Sequence, residues 1–187
     1  MKTQYYTATS IDGYIADEAN SLDWLFQFGD IESMKDDYPR FIERIGAAAV
    51  GSTTYEWAVE KENMLENPDK WPFDIPTWVF SSRELPAVEG ADIRFVRGDV
   101  EPVHAEMVEV AAGRNIWLMG GGDLVGQFHD RGLLDELILH VAPVTLGSGA
   151  PLLPRRIATP PLKLTGVERH ADVFVALTYE VQRTRSV

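Results

Sequence analysis

Residues 116–128 are the stretch of this chain that most restricts its fold. An apolar run ending at Met119 leads into glycines at positions 120 to 122 and then into a segment with helical spacing. Without Cβ atoms, such a turn lets the backbone approach a pyrophosphate, and the free amides of the following helix face the anion. The usual dinucleotide fingerprint has a further glycine where this chain has Val125. The stretch predicts either a phosphate-binding turn of unusual spacing or a flexible turn that binds no ligand.

Two other predicted strands end in residues suited to phosphate binding. The first is followed by Gly51, Ser52, Thr53 and Thr54. Either threonine can cap a helix beginning at Tyr55, so ordinary capping is an alternative. The second is followed by Ser81, Ser82 and Arg83, which offer hydroxyls and a guanidinium to a ribose phosphate, or form a solvated turn. Three such sites at strand ends favour an extended dinucleotide, because that ligand needs several separate anchors.

Strand and helix patterns alternate for most of the chain. Strands are predicted over residues 5–8, 47–50, 77–80, 93–96, 116–119, 136–141, 162–168 and 173–181. Helices are predicted after Pro39 with an end at Gly46, from Tyr55, over 103–112 and after Gly122, and residues 10–37 are predicted to form a long loop. This order predicts one α/β domain over residues 1–187, with three αβα layers, a mostly parallel eight-stranded sheet and an antiparallel C-terminal hairpin. Ligands bind such sheets beyond the carboxyl ends of the strands.

Composition excludes several classes of protein. The 187 residues include no cysteine, which rules out disulfides and thiolate metal sites and fits a cytoplasmic location. The net charge of −12 opposes binding to a nucleic-acid backbone. No apolar run is long enough to span a bilayer, so membrane insertion is not expected. A small-molecule substrate is therefore the expected partner.

Candidate substrate-side residues lie near the long loop. Asp36 and Asp37 precede the Pro39 helix, where they either interact with the helix dipole or bind a substrate and supply a proton. Aromatic candidates for stacking on a flat heterocycle, each of which alternatively belongs to the core, are Tyr14, Trp24 and Tyr55. The histidines at positions 129, 140 and 170 lack the spacing of metal ligands, and no metal is expected.

In their order along the chain, these motifs resemble the dihydrofolate reductase fold. More closely, they resemble the reductase domain at the C-terminus of bifunctional riboflavin-biosynthesis deaminase-reductases, and its stand-alone relatives. The resemblance implies NADPH lying across the strand ends, with Ala8 at the nicotinamide and residues 81–83 at the adenosine side. It implies a pyrophosphate site formed by Gly51, Ser52, Thr53, Thr54, Gly120, Gly121, Gly122, Asp123 and Leu124. A cis peptide between Gly120 and Gly121 and a homodimer are also implied.

Two positions depart from the dihydrofolate reductase pattern. Ser52 stands where those enzymes carry a basic residue for the 2′-phosphate, which leaves Arg83 as the cationic candidate. The folate-binding acid has only shifted counterparts, Asp36 and Asp37, of which Asp37 is the predicted catalytic residue. The resemblance implies an NADPH-dependent reductase of a small heterocyclic or sugar-derived substrate, most concretely the ribosylaminopyrimidine of riboflavin synthesis. The alternatives are a dihydrofolate reductase and a nucleotide-binding domain without catalysis.

Overall fold

The computed structural model describes residues 1–29 and 35–183 of the chain. The strands are β1 (Thr3–Thr9), β2 (Tyr14–Ala16), β3 (Ile45–Gly51), β4 (Thr77–Phe80), β5 (Ile93–Val96), β6 (Asn115–Gly120), β7 (Glu136–Val141), β8 (Ala150–Pro151), β9 (Lys163–His170) and β10 (Phe174–Glu180). The helices are α1 (Asp23–Phe26), α2 (Asp37–Ile42), α3 (Ser52–Lys61), α4 (Val100–Ala111) and α5 (Gly122–Asp130), with a 3-10 turn at Pro68–Lys70.

Eight of these strands form the central sheet, in the order β5-β4-β3-β6-β1-β7-β10-β9. Neighbouring strands are parallel from β5 to β7, and β10 runs antiparallel to both β7 and β9. The predicted mostly parallel sheet with an antiparallel C-terminal hairpin is therefore confirmed. The remaining strands, β2 and β8, pair with each other in a separate two-stranded antiparallel sheet.

Both faces of the central sheet are covered, which produces the three predicted layers. On one face, α4 and α5 enclose a core that includes Trp78, Leu118 and Phe128, all fully buried. On the other face, α3 packs through Tyr55 and Val59, and α2 packs through Phe41. The helices that follow β3 and β6 thus lie on opposite sides of the sheet, although β3 and β6 are neighbours. This divergence opens a crevice at the strand ends.

The central strand β3 is made of small residues because helix α4 lies close to it. A Cβ on Gly46 would lie only 2.5 Å from the carbonyl oxygen of Ala111. The prediction that Gly46 ends a helix is therefore wrong: α2 stops at Ile42, and Gly46 lies inside the strand.

Two helix starts also differ from the sequence prediction. Helix α3 begins at Ser52, with Gly51 in the N-cap position and no side-chain cap, so neither Thr53 nor Thr54 has the predicted capping role. Helix α4 begins at Val100, earlier than predicted, because the Asp99 side chain caps it by accepting a hydrogen bond of 3.0 Å from the Glu101 amide.

The predicted long loop over residues 10–37 contains two short elements, β2 and α1. Strand β2 is only three residues long and pairs with residues far along the chain, so no local pattern indicates it. Residues 30–34 of this segment lie outside the described residues. Across the ranges 1–29 and 35–183, no helix has the length and apolar character needed to cross a membrane.

Candidate functional site

The crevice lies where β3 and β6 end side by side and release α3 and α5 to opposite faces. The two glycine turns come into close contact there. A Cβ on Gly51 would lie 3.5 Å from the Gly121 nitrogen and 3.6 Å from the Gly120 oxygen. The two turns that the sequence separates by some 70 residues therefore form one surface, and two helix N-termini border it.

A cleft of about 430 Å³ opens at this surface. The predicted phosphate-binding residues that line it are Gly51, Ser52, Thr53, Thr54, Gly121, Gly122, Asp123 and Leu124. Its opposite wall includes Ile15 and Ala16 of β2 and Ala150 and Pro151 of β8, so the small second sheet forms one side of the cleft. The structure thus brings the two predicted turns together in one cavity.

Two glycines of this turn are required by the backbone: Gly120 has a φ of +122°, which other residues rarely adopt, and Gly122 lies too close to β8 for a side chain. The peptide between Gly120 and Gly121 is cis, as the resemblance implied. A Cβ on Gly122 would overlap the carbonyl oxygens of Pro151 and Leu152, so only glycine lets β8 approach the start of α5. At Gly121, by contrast, an added Cβ would meet only Ile15, at 4.0 Å. Gly122 therefore serves packing, whereas the surface at Gly121 is open to a ligand.

A smaller cavity of about 220 Å³ continues from the cleft past the ends of β4 and β5. Ser52, Ser81 and Ser82 line it, and the last two are among the residues that the resemblance assigns to the adenosine side. Arg83 does not: its guanidinium forms a two-pronged ion pair with Glu56, and its backbone amide binds the Ser81 hydroxyl at 2.9 Å. The cation that lines this cavity is Arg97, which sequence reasoning missed.

The signal for Arg97 was present in the sequence. Arg97 and Gly98 follow β5 directly, which repeats the strand-end pattern seen after the other strands. Because β4 and β5 are parallel neighbours, their ends bring Arg97 beside the serines at 81 and 82. Arg97 is exposed, and its guanidinium forms no ion pair or side-chain hydrogen bond with the described residues.

On its other side the cleft joins an apolar pocket of about 570 Å³. The residues common to both cavities are Thr7, Ile15, Leu22 and Met119. Ala8, predicted to meet the nicotinamide, lines this second pocket, and most of the remaining wall is apolar, from Leu25, Phe26, Phe28, Trp117 and Phe174. We call this cavity the apolar pocket. It adjoins the cleft through the four shared residues.

The three predicted aromatic substrate residues line neither the cleft nor the apolar pocket. Tyr55 is 2% exposed in the core, and its hydroxyl donates a hydrogen bond of 2.7 Å to the Pro86 carbonyl, which makes its role structural. Tyr14 pairs with Pro151 in the small sheet. Trp24 lies in α1, and its buried indole N–H has no hydrogen-bond partner among the described residues. The aromatic rings that do line the apolar pocket include Phe26, two residues further along α1.

The two predicted acids lie at the start of α2. Asp36 occupies its N-cap position, where its backbone carbonyl accepts a hydrogen bond from the Arg40 side chain. The Asp37 carboxylate accepts a hydrogen bond of 2.6 Å from Arg40 and lies 3.2 Å from His170 Nε2. Asp37 lines a fourth cavity, of about 520 Å³, on the same face of the sheet as the apolar pocket. We call this cavity the rear cavity; neither acid lines the apolar pocket.

His140 and Tyr6 line both the apolar pocket and the rear cavity, so they form the wall between them. Burial, reinforced by nearby His170 and opposed by Asp37, lowers the pKa of His140 to about 4. Burial, together with the nearby Asp37 carboxylate, raises the pKa of Tyr6 above its usual value. Both side chains are therefore neutral near pH 7. From the sequence, His140 was considered only as a metal ligand and was not predicted to line a cavity.

The chain is similar in sequence to an uncharacterized Bacillus subtilis (strain 168) protein, YwjB, with 31% identity over 169 residues, 90% of this chain and 91% of that protein. It is similar in structure to a protein from Shewanella sp. PV-4 that has been provisionally assigned to riboflavin biosynthesis. That match has a TM-score of 0.81 and 25% identity, and covers 98% of this chain and 100% of the other.

Two further structures share the fold. Dihydrofolate reductase from Enterococcus faecalis, solved with NADP(H), matches with a TM-score of 0.64 and 14% identity over 96% of this chain and 95% of its own. The Thermotoga maritima diaminohydroxyphosphoribosylaminopyrimidine deaminase/5-amino-6-(5-phosphoribosylamino)uracil reductase matches with a TM-score of 0.64 and 17% identity over 96% of this chain and 56% of that longer chain. The architecture is thus dihydrofolate-reductase-like. Because residues 2–176 match the family described as the RibD C-terminal domain, the chain belongs to that family.

Proposed function

We propose that the protein is an NADPH-dependent reductase of a small heterocyclic or sugar-derived substrate. The observation that carries this proposal is the meeting of two glycine turns and two helix N-termini at adjacent strand ends, beside an apolar pocket. The cleft suits a pyrophosphate, and the pocket suits a flat ring. The family membership and the Enterococcus faecalis structure with NADP(H) support the same conclusion.

The residues of the cleft fit a dinucleotide from end to end. The amides at the start of α3 and α5 would hold the pyrophosphate, since both helices exceed two turns and begin at glycine or serine. Ser52, Ser81, Ser82 and Arg97 would hold the adenosine end, and Arg97 is the cation available to a 2′-phosphate there. Ala8 would face the nicotinamide. Bound in this way, the reduced cofactor supplies a hydride to the substrate.

The protein's own contribution is alignment and exclusion of water. The apolar wall of the pocket, including Leu25, Phe28 and Trp117, keeps water away from the reacting atoms. Thr7 lies at the junction of cleft and pocket and offers a hydroxyl there. Asp37, predicted from the sequence to be the acid, does not line the pocket and is connected to its wall through His170 and His140 and through the nearby Tyr6. We therefore assign Asp37 an indirect role in orienting and polarising the pocket wall.

The most concrete substrate is 5-amino-6-(5-phosphoribosylamino)uracil, because the Thermotoga maritima structural neighbour carries that reductase name. The test is to incubate the purified protein with NADPH and this compound and to follow the absorbance of the reduced nicotinamide. We expect a loss of absorbance that depends on both the protein and the substrate. NADPH binding without turnover, for this compound and for dihydrofolate, would instead indicate a nucleotide-binding domain without catalysis.

A further inference from the structure

His140 is a buried imidazole whose ring nitrogens are not used by the described part of the chain. The residue is only 4% exposed, and neither Nδ1 nor Nε2 has a hydrogen-bond partner among the described residues. A buried polar group left unpaired costs about 1–3 kcal/mol, so such groups are usually satisfied by protein, water or ligand. The ring lines two cavities, which gives a ligand or water access to it.

The sheet register places His140 at the centre of the proposed reaction site. Its Cα pairs with Ala8 on β1, the residue predicted to meet the nicotinamide, and with Ala176 on β10. Paired residues of neighbouring strands direct their side chains to the same face of a sheet. Both neighbours are alanines, so the imidazole is the large polar group at this point of the wall. Any ring held between Ala8 and the apolar wall lies beside it.

The apolar pocket offers few other polar groups. Its lining is dominated by leucine, phenylalanine and methionine, and the side chains with donors or acceptors are Thr7, Tyr6, His140, Lys35 and Trp117. The Trp117 indole N–H already donates to the Tyr6 carbonyl at 3.2 Å. In a mostly apolar pocket, a small number of polar groups fixes the orientation of the ligand. A neutral imidazole offers one N–H donor and one acceptor nitrogen, so it can either donate to a ring carbonyl or accept from a ring N–H of a uracil-like or pterin-like heterocycle.

Other side chains hold the imidazole in place from behind. The Tyr6 ring lies with its centroid 4.8 Å from that of His140, and the His170 ring lies 5.6 Å away. His170 is itself 1% exposed and lies within 3.2 Å of the Asp37 carboxylate, at an ion-pair distance. The series Asp37, His170, His140 thus connects α2, β9 and β7 to the pocket wall.

We propose that His140 is a substrate-binding residue that hydrogen-bonds a polar ring atom of a planar nitrogen heterocycle, and that His170 and Asp37 are positioning residues behind it. The inference rests on the proposed function and adds a residue and a ligand class to it. The ligand class is a uracil-like or pterin-like ring with an N–H next to a carbonyl. Thr7 and Tyr6, the other polar side chains of β1 that line this pocket, each carry a single hydroxyl, whereas the imidazole carries its donor and its acceptor on two separate nitrogens.

The test compares the native protein with His140→Phe, which keeps a flat ring and removes both nitrogens, and with His140→Gln, which keeps a donor and an acceptor. The matched control is His129→Phe, since His129 lies at the end of α5 and lines none of the cavities described above. Calorimetry measures NADPH affinity, and then the affinity of the NADP⁺ complex for 5-amino-6-(5-phosphoribosylamino)uracil and for dihydrofolate. Steady-state kinetics with NADPH separate kcat from KM.

We expect His140→Phe to bind NADPH like the native protein and to lose about tenfold or more in heterocycle affinity, with a matching rise in KM. His140→Gln should recover part of that loss, and His129→Phe should behave as native. For the positioning role, Asp37→Asn should raise KM for the heterocycle less than His140→Phe does and leave NADPH affinity unchanged. A purely structural role for His140 would instead lower stability and NADPH affinity together.

The outcomes separate the two proposals. If the native protein binds neither heterocycle, the proposed function fails and this inference fails with it. If the native protein binds one of them and folded His140→Phe binds it equally well, only the inference is overturned. Should His140→Phe not fold, equal heterocycle affinity in native protein and in a folded His140→Ala variant overturns the inference in the same way.

Discussion

His140 makes the stability of this protein depend on pH in a defined direction. Its pKa is lowered from 6.5 to about 4 in the folded state, chiefly by burial, so the unfolded chain binds more protons between those values. A histidine of this kind stabilises the fold fully above its unfolded pKa, and that stability is lost as pH falls towards the folded pKa. The imidazole that is proposed to bind substrate therefore also lowers the stability of the folded protein at acidic pH.

We expect the free energy of unfolding of the native protein to fall, relative to His140→Phe, by up to about 3 kcal/mol between pH 6.5 and pH 4. Urea unfolding of both proteins across this pH range measures the difference. His104, whose pKa burial also lowers, is present in both proteins and cancels in the comparison. Parallel pH profiles for the two proteins would contradict the assignment of His140 as a buried neutral imidazole.

Substitutions at Gly51 and Gly122 should affect different properties: Gly51 borders the proposed pyrophosphate site, whereas Gly122 packs against β8. A Cβ on Gly51 meets the neighbouring turn at 3.5 Å, an ordinary contact, and its φ of −78° suits alanine. Gly51→Ala should therefore lose about 1 kcal/mol of stability or less, yet place a methyl group in the pyrophosphate site and weaken NADPH binding. Gly122→Ala should destabilise the fold itself, by about 1–3 kcal/mol, because its Cβ overlaps backbone carbonyls.

Thermal unfolding measures the stability of the two variants, and calorimetry measures their affinity for NADPH. Equal NADPH affinity in Gly51→Ala and native protein would mean that the pyrophosphate lies elsewhere. A Gly122→Ala protein as stable as native would mean that β8 does not pack on this turn.

At the scale of elements, one wall of the cleft depends on a connection between two loops. The Asp12 carboxylate, in the turn between β1 and β2, accepts hydrogen bonds from the Ser10 hydroxyl at 2.6 Å and from the amides of Gly147 at 2.7 Å and Leu146 at 3.1 Å. The Ser10 and Gly147 hydrogen bonds lower the pKa of Asp12. The connection joins the turn before β2 to the loop before β8, and these two strands line the cleft.

We expect Asp12→Asn to weaken NADPH binding by about three- to tenfold, because a neutral amide accepts these hydrogen bonds less strongly. Calorimetry measures the change, and Asp92→Asn is the control, since Asp92 forms a remote ion pair with Arg94. Because the pKa of Asp12 lies below its usual value of 3.8, these hydrogen bonds to the carboxylate should persist when the pH falls below 3.8. Unchanged affinity in Asp12→Asn would show that the loops hold the cleft without this carboxylate.

Helices and strands could be predicted where a local pattern of apolar residues and glycines in the sequence indicates them. Residues 116–128 show a buried strand, a glycine turn and a helix, because burial on both faces and the loss of Cβ atoms leave direct traces in the sequence. Strands β2 and β8 leave no such trace, since each has at most three residues and the partner lies more than 130 residues away. The His140 site was missed for the same reason: it depends on the register of β7 with β1 and β10.

At the scale of the whole molecule, the edge strand β9 exposes two large apolar side chains. Leu164 is 51% exposed and Val167 is 63% exposed on a strand that has a neighbour on one side only. Open, apolar sheet edges promote pairing with another chain. We therefore expect a homodimer that covers β9, as the resemblance to the reductase family implied.

Sedimentation of the native protein at micromolar concentration should give twice the chain mass of 20.9 kDa. The double variant Leu164→Lys, Val167→Lys should sediment as a monomer and keep its NADPH affinity, because β9 contributes no residue to the cleft. A native monomer at these concentrations would rule out this assembly.

The central claim is that one NADPH molecule lies across the strand ends, between the glycine turns of β3 and β6. Calorimetric titration of the native protein with NADPH tests it most directly. We expect saturable binding of one NADPH per chain, with a rise in melting temperature as NADPH concentration increases. An absence of saturable heat and of any melting-temperature shift at millimolar NADPH would contradict it.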